Sequence, residues 1–477
     1  MQTGTLISLG LYFALMLAIG LYAWRKSTGT VGEYMLGGRS LGPAVTALSA
    51  GASDMSGWLL LGLPGAAFAT GLPAAWIGIG LFAGALANWI VVAPRLRVQT
   101  EELGDALTIP DWLSKRFPER GTALRLVSAL VIVVFFALYT SAGLVAGGKL
   151  FDTALGGSYA TGLWITAAVV VAYTLFGGFL AVSLTDFVQG CIMLIALVIV
   201  PVVALSDAGG WERTVGAVRD VNPAFLSLFA GATTLGVISS LGWGLGYFGQ
   251  PHIIVRFMAI RSVRDVPTAR AIGMSWMGVS LLGSLGVGLA GLAYASETGL
   301  RVDDPETIFI LLSELLFHPL VTGFLFAAIL AAIMSTISSQ LLVSSSSLTE
   351  DAYRLLLRRE AGQRELVTVG RLAVLAVALV ALVLALNPEN SVLGLVANAW
   401  AGFGAAFGPV VLLALTSRRV TGAGALAGLL VGAGTVIVWI AAGLDGELYA
   451  LVPGFGAGLA AALGVSAVKA RELIVAG

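Results

Sequence analysis

One cysteine and two histidines in 477 residues leave little to build a disulfide or a metal centre from. Cys191 can form no internal disulfide, and neither His252 nor His318 has metal-like companions. Charge is scarce too, at 11% against about 25% for a soluble globular chain. Its balance is zero, so nothing points to a nucleic-acid partner. No polar stretch leaves room for a soluble domain. The longest, 95–122 and 347–365, read as loops with short amphipathic pieces such as "TIPDWLSKRF". The nearest approach to a phosphate loop, "GLVAGGKL" at 143–150, has Leu150 where the magnesium-binding Ser or Thr belongs. An ATP-driven machine is therefore excluded, and the chain is read as a non-enzyme.

What is present is apolar: 58% of residues are hydrophobic. Runs of about 20 such residues recur along the chain, each long enough to span hydrocarbon as a helix. A barrel would show short alternating strands instead. We count thirteen spans: 4–24, 42–68, 73–94, 123–150, 159–181, 184–206, 228–250, 268–296, 318–346, 366–386, 391–416, 422–442 and 449–468. The run from Leu6 to Trp24 lacks a basic n-region before it and is too long for the apolar region of a signal peptide, so it reads as a retained helix. With the N-terminus outside, all 26 Lys and Arg except Lys149, Arg213, Arg219 and Arg301 fall on inner segments. Cytoplasmic loops carry the Lys/Arg excess, which predicts N-out and C-in.

The apolar tract Leu41–Leu72 contains one charge, Asp54, within "TALSAGASDMSGWLLLG". A carboxylate at the centre of a membrane helix costs about 2.5–3.5 kcal/mol, and an intramembrane acid marks a functional site by default. The glycines and serines around it weaken the helix. Span seven has a second weak stretch, "SSLGWGLGYFGQP" at 239–251. Interrupted helices at matching positions of two halves point to the midplane site of a secondary transporter. Spans two and seven are five apart, as inverted repeats over spans 2–6 and 7–11 require. Close packing alone would also use glycines.

Span nine holds "AAIMSTISSQLLVSSSS", with adjacent hydroxyls on Ser335 and Thr336. Hydroxyls and carbonyls suit Na⁺, although such hydroxyls often bond back to their own helix. Trp243 and Tyr247 are four residues apart on span seven and share one face, where they could wall an apolar ring or simply pack, and Tyr139 could join them. In "SLTDFVQG", Ser183 and Asp186 have capping-box spacing, so Asp186 reads as a cap or as part of an ion-release path.

Together these stretches resemble the sodium/solute symporter family, and within it the bacterial proline carriers. The matching segments are "YMLGGRSLGPAVTALSAGASDMSGWLL", "SALVIVVFFALY", "GGFLAVSLTDFVQ", "LGWGLGYFGQPHI", "ILAAIMSTISSQLLV", "NPENSVLGLV" and "AWAGFGAAFGPVV", in order along nearly the whole chain. The resemblance implies an all-α membrane protein of the LeuT type. A helix at 4–24 would precede inverted repeats at 42–206 and 228–416, with two closing helices in 422–468, all one transporter domain over 1–477. It implies a sodium site of the Ala52, Met55 and Ala332 carbonyls and the Ser335 and Thr336 hydroxyls, with Asp54 nearby. It implies a proline pocket of Ser56, Trp58, Gly62, Tyr139, Trp243, Tyr247 and Pro251. Arg39 would serve sodium coupling and Asp186 coupling or ion release. Ser280 stands where family members carry cysteine.

The expected activity is Na⁺-coupled uptake of L-proline by alternating access across a bacterial cytoplasmic (inner) membrane. The alternative is the same machine for another small solute, an amino acid or a carboxylate. Na⁺ is the coupling ion and no organic cofactor is expected. The expected partners are proline, Na⁺ and the lipid bilayer, with no obligatory protein partner. A sensor would carry a signalling domain and a channel a continuous polar stripe; neither pattern is present.

Overall fold

The computed structural model of the chain describes residues 2–26, 29–387 and 392–476, with side chains through Lys469. Residues 388–391 of the "NPENSVLGLV" segment and the side chain of Arg471, one of the inner basic residues, lie outside the described residues. Among the described residues every element is helical, apart from one parallel bridge between Leu41 and Ile260.

The first half comprises α1 (Thr3–Lys26), α2 (Val31–Leu36), α3 (Pro43–Met55), α4 (Gly62–Thr70), α5 (Ala75–Glu102), α6 (Ile109–Arg116), α7 (Gly121–Ala154), α8 (Tyr159–Asp207) and α9 (Trp211–Val221). The second comprises α10 (Thr234–Gly242), α11 (Pro251–Ala259), α12 (Val266–Thr298), α13 (Ile308–Leu316), α14 (Pro319–Ser346), α15 (Gln363–Leu384), α16 (Val392–Thr416), α17 (Gly422–Ala441) and α18 (Leu451–Ala476). Ten helical segments among the described residues are long and apolar enough to cross a membrane.

Three features depart from ten plain rods. The 49-residue α8 breaks its helical geometry at Gly178, whose φ of 56° and ψ of −149° interrupt the helix between the expected fifth and sixth spans. The expected second span is discontinuous: α3 stops at Met55 and α4 restarts at Gly62. The expected seventh span is discontinuous too, and its boundary needs correcting. Residues 228–233 are not helical, and after Gln250 the chain resumes as α11 through Ala259. Pro251 does not end this element. It opens α11 at the first helical position, where a missing N–H costs nothing and a fixed φ suits the helix.

The core is arranged around α14. Almost every side chain from Thr322 to Ser346 is buried, and α1, α3, α7 and α8 pack around it. The periphery is the inverse. One face of α15 exposes Leu372, Leu375, Leu379, Val380 and Val383, and α1 exposes Leu6, Ile7, Leu11 and Leu15. Apolar side chains facing outward on long helices are what a hydrocarbon solvent requires.

Gly178 should tolerate no side chain. A Cβ there would sit 2.7 Å from both the Tyr34 carbonyl oxygen and the Tyr34 ring, on backbone that L-residues rarely adopt. Gly178→Ala is expected to cost about 3 kcal/mol, read as a lowered thermal unfolding midpoint of the purified protein. Adding Tyr34→Ala should not restore it, because the carbonyl remains; a midpoint equal to that of the parent would contradict this.

Candidate functional site

The break in α3–α4 is a backbone event. Ser56 follows α3 with φ 46° and ψ −171°, a left-handed conformation held by a non-glycine, and its Oγ accepts from Trp58 N at 3.2 Å. One short turn, Gly57–Leu59, leads to α4. The break between α10 and α11 differs. The 3-10 segment Trp243–Gly249 contains no positive φ, so its glycines are not there for conformational freedom. They allow close approach: a Cβ on Gly244 would collide with Gly80 O, on Gly246 with the Trp400 indole, and on Gly249 with Phe403 O. The segment is thus clamped between α5 and α16, and its glycines serve packing at a real interruption.

Ala52 and Met55 lie in the last turn of α3, where carbonyls lack partners within the helix and the dipole favours a cation. Across from it, on α14, the Ser335 hydroxyl donates to Ala52 O at 2.7 Å and lies 3.2 Å from Ala332 O. Thr336 Oγ1 is 3.2 Å from the same Ala332 carbonyl. Four of the five expected sodium ligands therefore meet where α3 crosses α14, with Met55 buried at the end of α3. These hydroxyls are rotors: turned off the carbonyls, they would present lone pairs beside the carbonyl oxygens. Asp54 is buried in the same turn. Its Oδ2 accepts from the Tyr247 hydroxyl, so the acid is tied across to the second broken helix.

Beside this crossing is a cavity of about 20 Å³, lined by Asp54, Met55, Ser56, Trp58, Leu81, Tyr139, Trp243, Val396 and Trp400. That is room for roughly one water. Trp58 and Trp243 stack at 6.2 Å, and Trp243 stacks on Tyr449 at 4.9 Å. Of the expected pocket residues, Ser56, Trp58, Tyr139 and Trp243 line the cavity. Gly62 lies under Trp58, where a Cβ would be 2.7 Å from the indole. Tyr247 meets Trp400 edge-on at 5.2 Å and lines an adjoining cavity with Asp54. Pro251 lines a different cavity, with Met35, Val255 and Val343.

Trp400 and Tyr449 were not expected here. Trp400 Nε1 donates to Trp243 O at 2.9 Å, and Gln250 Nε2 donates to Trp400 O at 3.1 Å. The partners are more than 100 residues apart, so no local pattern announces them.

Arg39 sits away from the crossing, at the far end of α11. Its guanidinium donates to Met258 O at 2.7 Å and Ala106 O at 3.0 Å and lies 3.4 Å from Asp105. Next to it the chain before α3 pairs with the chain after α11: Leu41 N to Ala259 O at 3.2 Å, and Arg261 N to Leu41 O at 2.9 Å. Arg97 Nε adds a bond to Ile260 O at 2.7 Å.

Asp186 is not a cap. It lies well inside the helix after Gly178, fully buried, and the Ser183 hydroxyl has no partner. Its Oδ2 accepts from Ser49 Oγ at 2.7 Å and from Arg256 Nη2 at 3.0 Å. Arg256, counted above among the inner basic residues, is instead fully buried on α11. Ending span seven at residue 250 left it outside the span; the continuation of the helix puts it inside the bundle. Its guanidinium also reaches Ser49, Ser339 and the His252 carbonyl, joining α3, α8, α11 and α14.

Two helices broken at mid-depth, with an oxygen cluster and an aromatic cavity between them, are the features of an ion-coupled secondary transporter. Solved symporters share the fold. The chain superposes on a substrate-bound, outward-open Na⁺-coupled sialic acid symporter with a TM-score of 0.85, covering 98% of each chain at 18% identity. On Mhp1, a nucleobase-cation-symport-1 family transporter in a closed conformation, the score is 0.59, over 93% of this chain and 94% of that one at 15% identity. The profile of the sodium:solute symporter family matches residues 34–432, and the chain belongs to that family. Among its relatives, the osmoregulated proline transporter OpuE of Bacillus subtilis is 56% identical over 473 residues, 99% of this chain and 96% of that protein. The high-affinity proline transporter PutP of Bacillus subtilis is 60% identical over 451 residues, 94% and 95% of the two. A sodium/proline symporter of Staphylococcus aureus (strain JH9) is 55% identical over 461 residues, 94% and 90% of the two.

The Asp186–Arg256 pair should behave as one unit. Asp186→Leu leaves a buried guanidinium unpaired and is expected to cost about 3–5 kcal/mol of stability. Asp186→Leu with Arg256→Met should recover most of that loss. Unfolding midpoints of both single variants and the double variant check this; strictly additive losses would contradict it.

Proposed function

We propose that the chain is a Na⁺-coupled symporter of L-proline that works by alternating access in a bacterial cytoplasmic membrane. One observation carries the reading: the Ser335–Ala52–Ala332 oxygen cluster lies at the end of a broken helix, beside an aromatic cavity. The 55–60% identity to relatives named as proline transporters supports the choice of solute. Counting each discontinuous helix once and α8 as two spans around Gly178 gives thirteen crossings, N-terminus outside and C-terminus inside. The inverted repeats are 42–206 and 228–416, each opening on its broken helix.

Na⁺ is held by the Ala52, Met55 and Ala332 carbonyls and the Ser335 and Thr336 hydroxyls, with the Asp54 charge compensating the ion. Proline lies against Trp58, Trp243 and Tyr139, and its carboxylate meets free N–H groups where the helices restart. A cavity of about 20 Å³ is too small for an amino acid, so the Trp58–Trp243 stack must part to admit it. One charge moving inward contributes about 2.3 kcal/mol per 100 mV. A tenfold Na⁺ gradient adds about 1.4 kcal/mol. Together they sustain roughly 500-fold accumulation of a neutral zwitterion at one ion per solute. Uptake of radiolabelled proline into proteoliposomes, with and without a Na⁺ gradient, tests the reading directly.

Asp54 is required for its charge. Asp54→Asn should abolish Na⁺-driven accumulation, whereas Asp54→Glu should keep some transport at poorer apparent Na⁺ affinity. Proline uptake by Asp54→Asn at the parent level, driven by Na⁺, would remove the residue from the coupling mechanism.

Tyr247 and Trp243 should separate ion from solute. Tyr247→Phe keeps the ring and removes the donor to Asp54, so the Na⁺ dependence of transport should shift by about tenfold. Trp243→Ala removes a wall of the cavity and should weaken proline binding by about tenfold or more with little change in Na⁺ dependence. Equilibrium proline binding at graded Na⁺ reads both; the opposite pattern would exchange their roles.

A further inference from the structure

The Pro251 cavity described above lies on the side of the site that the charge bias assigns to the cytoplasm. It is lined by Leu107, Thr108, Pro251, Val255, Val343 and Ser347, and the buried Ser347 hydroxyl has no partner. Beyond it opens a vestibule of about 430 Å³ whose walls include Leu107, Asp111, Lys115, Arg125, Glu350 and Arg359. Leu107 belongs to both. Pro251 starts the helix that follows the clamped Trp243–Gly249 segment, so the inner cavity sits between the aromatic cavity and the vestibule.

The wall between inner cavity and vestibule is a polar clasp. The Thr108 hydroxyl, which also caps α6 by accepting from Asp111 N, donates to Asp351 Oδ1 at 3.0 Å. Arg125 Nε, from the first turns of α7, donates to the same Oδ1 at 2.7 Å. Arg125 also lies 3.3 Å from Asp111 and 3.7 Å from Glu350. Asp351 is fully buried, with its second oxygen unpartnered. The clasp thus ties α6, α7 and the continuation of α14 together.

That continuation is unusual. After Ser346 the chain of α14 widens into a π-helix, Ser347–Leu357, which carries Glu350 and Asp351. π-helical turns are rare and recur at functional sites. Ser335 and Asp351 are on one continuous helical rod, about 24 Å apart along its axis. Whatever binds at Ser335 therefore acts on the rod that holds the clasp.

We propose that Arg125, Asp351 and Thr108 form the release gate of this transporter. Closed, the clasp seals the inner cavity from the vestibule; opened by movement of the α14 rod, it lets the solute pass along Pro251 and Val255 to the cytoplasmic face. Arg125, Asp351 and Thr108 act as positioning residues, since none touches the aromatic cavity. This rests on the transport reading above, and on the sidedness given there.

The test uses the full chain with Cys191→Ala and one reporter thiol, Val255→Cys, in inside-out vesicles. A membrane-impermeant maleimide is applied from the exposed cytoplasmic face. Arg125→Gln should raise the labelling rate about tenfold, and Arg125→Lys should raise it less. Equilibrium proline binding by the same protein shows that it is folded. Thr108→Val, which leaves the charges paired, serves if Arg125→Gln does not reach the membrane, and it too should raise labelling. An unchanged rate in a variant that still binds proline would overturn the gate. Absence of Na⁺-driven proline uptake by the unsubstituted chain, with labelling still raised by Arg125→Gln, would instead overturn the solute reading and leave the gate standing.

Discussion

The hydrogen bond from Ser335 to the Ala52 carbonyl answers the constraint on which the rest of the structure depends. A helix broken within hydrocarbon strands polar backbone groups that no water can serve. Each has to be met by another part of the protein. Here Ser335 meets the end of α3, and Ser284 Oγ donates to Leu59 O in the short turn that follows at 2.7 Å. Trp400 meets Trp243 O, and Gln250 in turn meets Trp400 O. The broken helices consequently cannot sit at the edge of the bundle. They are enclosed by α5, α12, α14 and α16, and the polar groups needed to complete the backbone are the ones a cation and a zwitterion could borrow.

The same enclosure governs the glycines. Where α5 and α16 close on the Trp243–Gly249 segment, backbone approaches backbone with no side chain between. Such contact holds the segment by shape. It also keeps the aromatic cavity small, with Trp243 held between the rings of Trp58 and Tyr449.

Much of this was legible in the sequence, and the failures have physical causes. Asp54, Ser335 and Thr336 stood out because polar groups are costly in hydrocarbon and therefore rare there. Their meeting at the α3–α14 crossing followed from family resemblance and not from spacing, since 283 residues separate Ala52 from Ser335. Span seven was expected to end at residue 250, just before Pro251, but proline begins helices as readily as it ends them, and that boundary left Arg256 outside the span. The Ser183–Asp186 spacing matched a capping box, but a cap needs a helix end, and the helix begins at the non-helical Gly178 instead. Trp400 and Tyr449 carry no local signal at all; only packing brings Trp400 to the cavity and Tyr449 onto Trp243.

The bridge between Leu41 and Ile260 fastens the start of α3 to the end of α11 through backbone atoms alone. Its donors are the amides of Leu41 and Arg261, and nearly every residue type supplies the same amide. The join is therefore invisible to inheritance of side chains. Residue 261, which is exposed, is free to drift through most of the amino-acid alphabet while the two broken helices stay yoked, and Leu41 is constrained by its burial and not by the bond its amide makes. Only proline, which has no amide hydrogen, would interrupt it. A mechanical element of this kind leaves its record in what a lineage avoids at two positions, not in what it keeps.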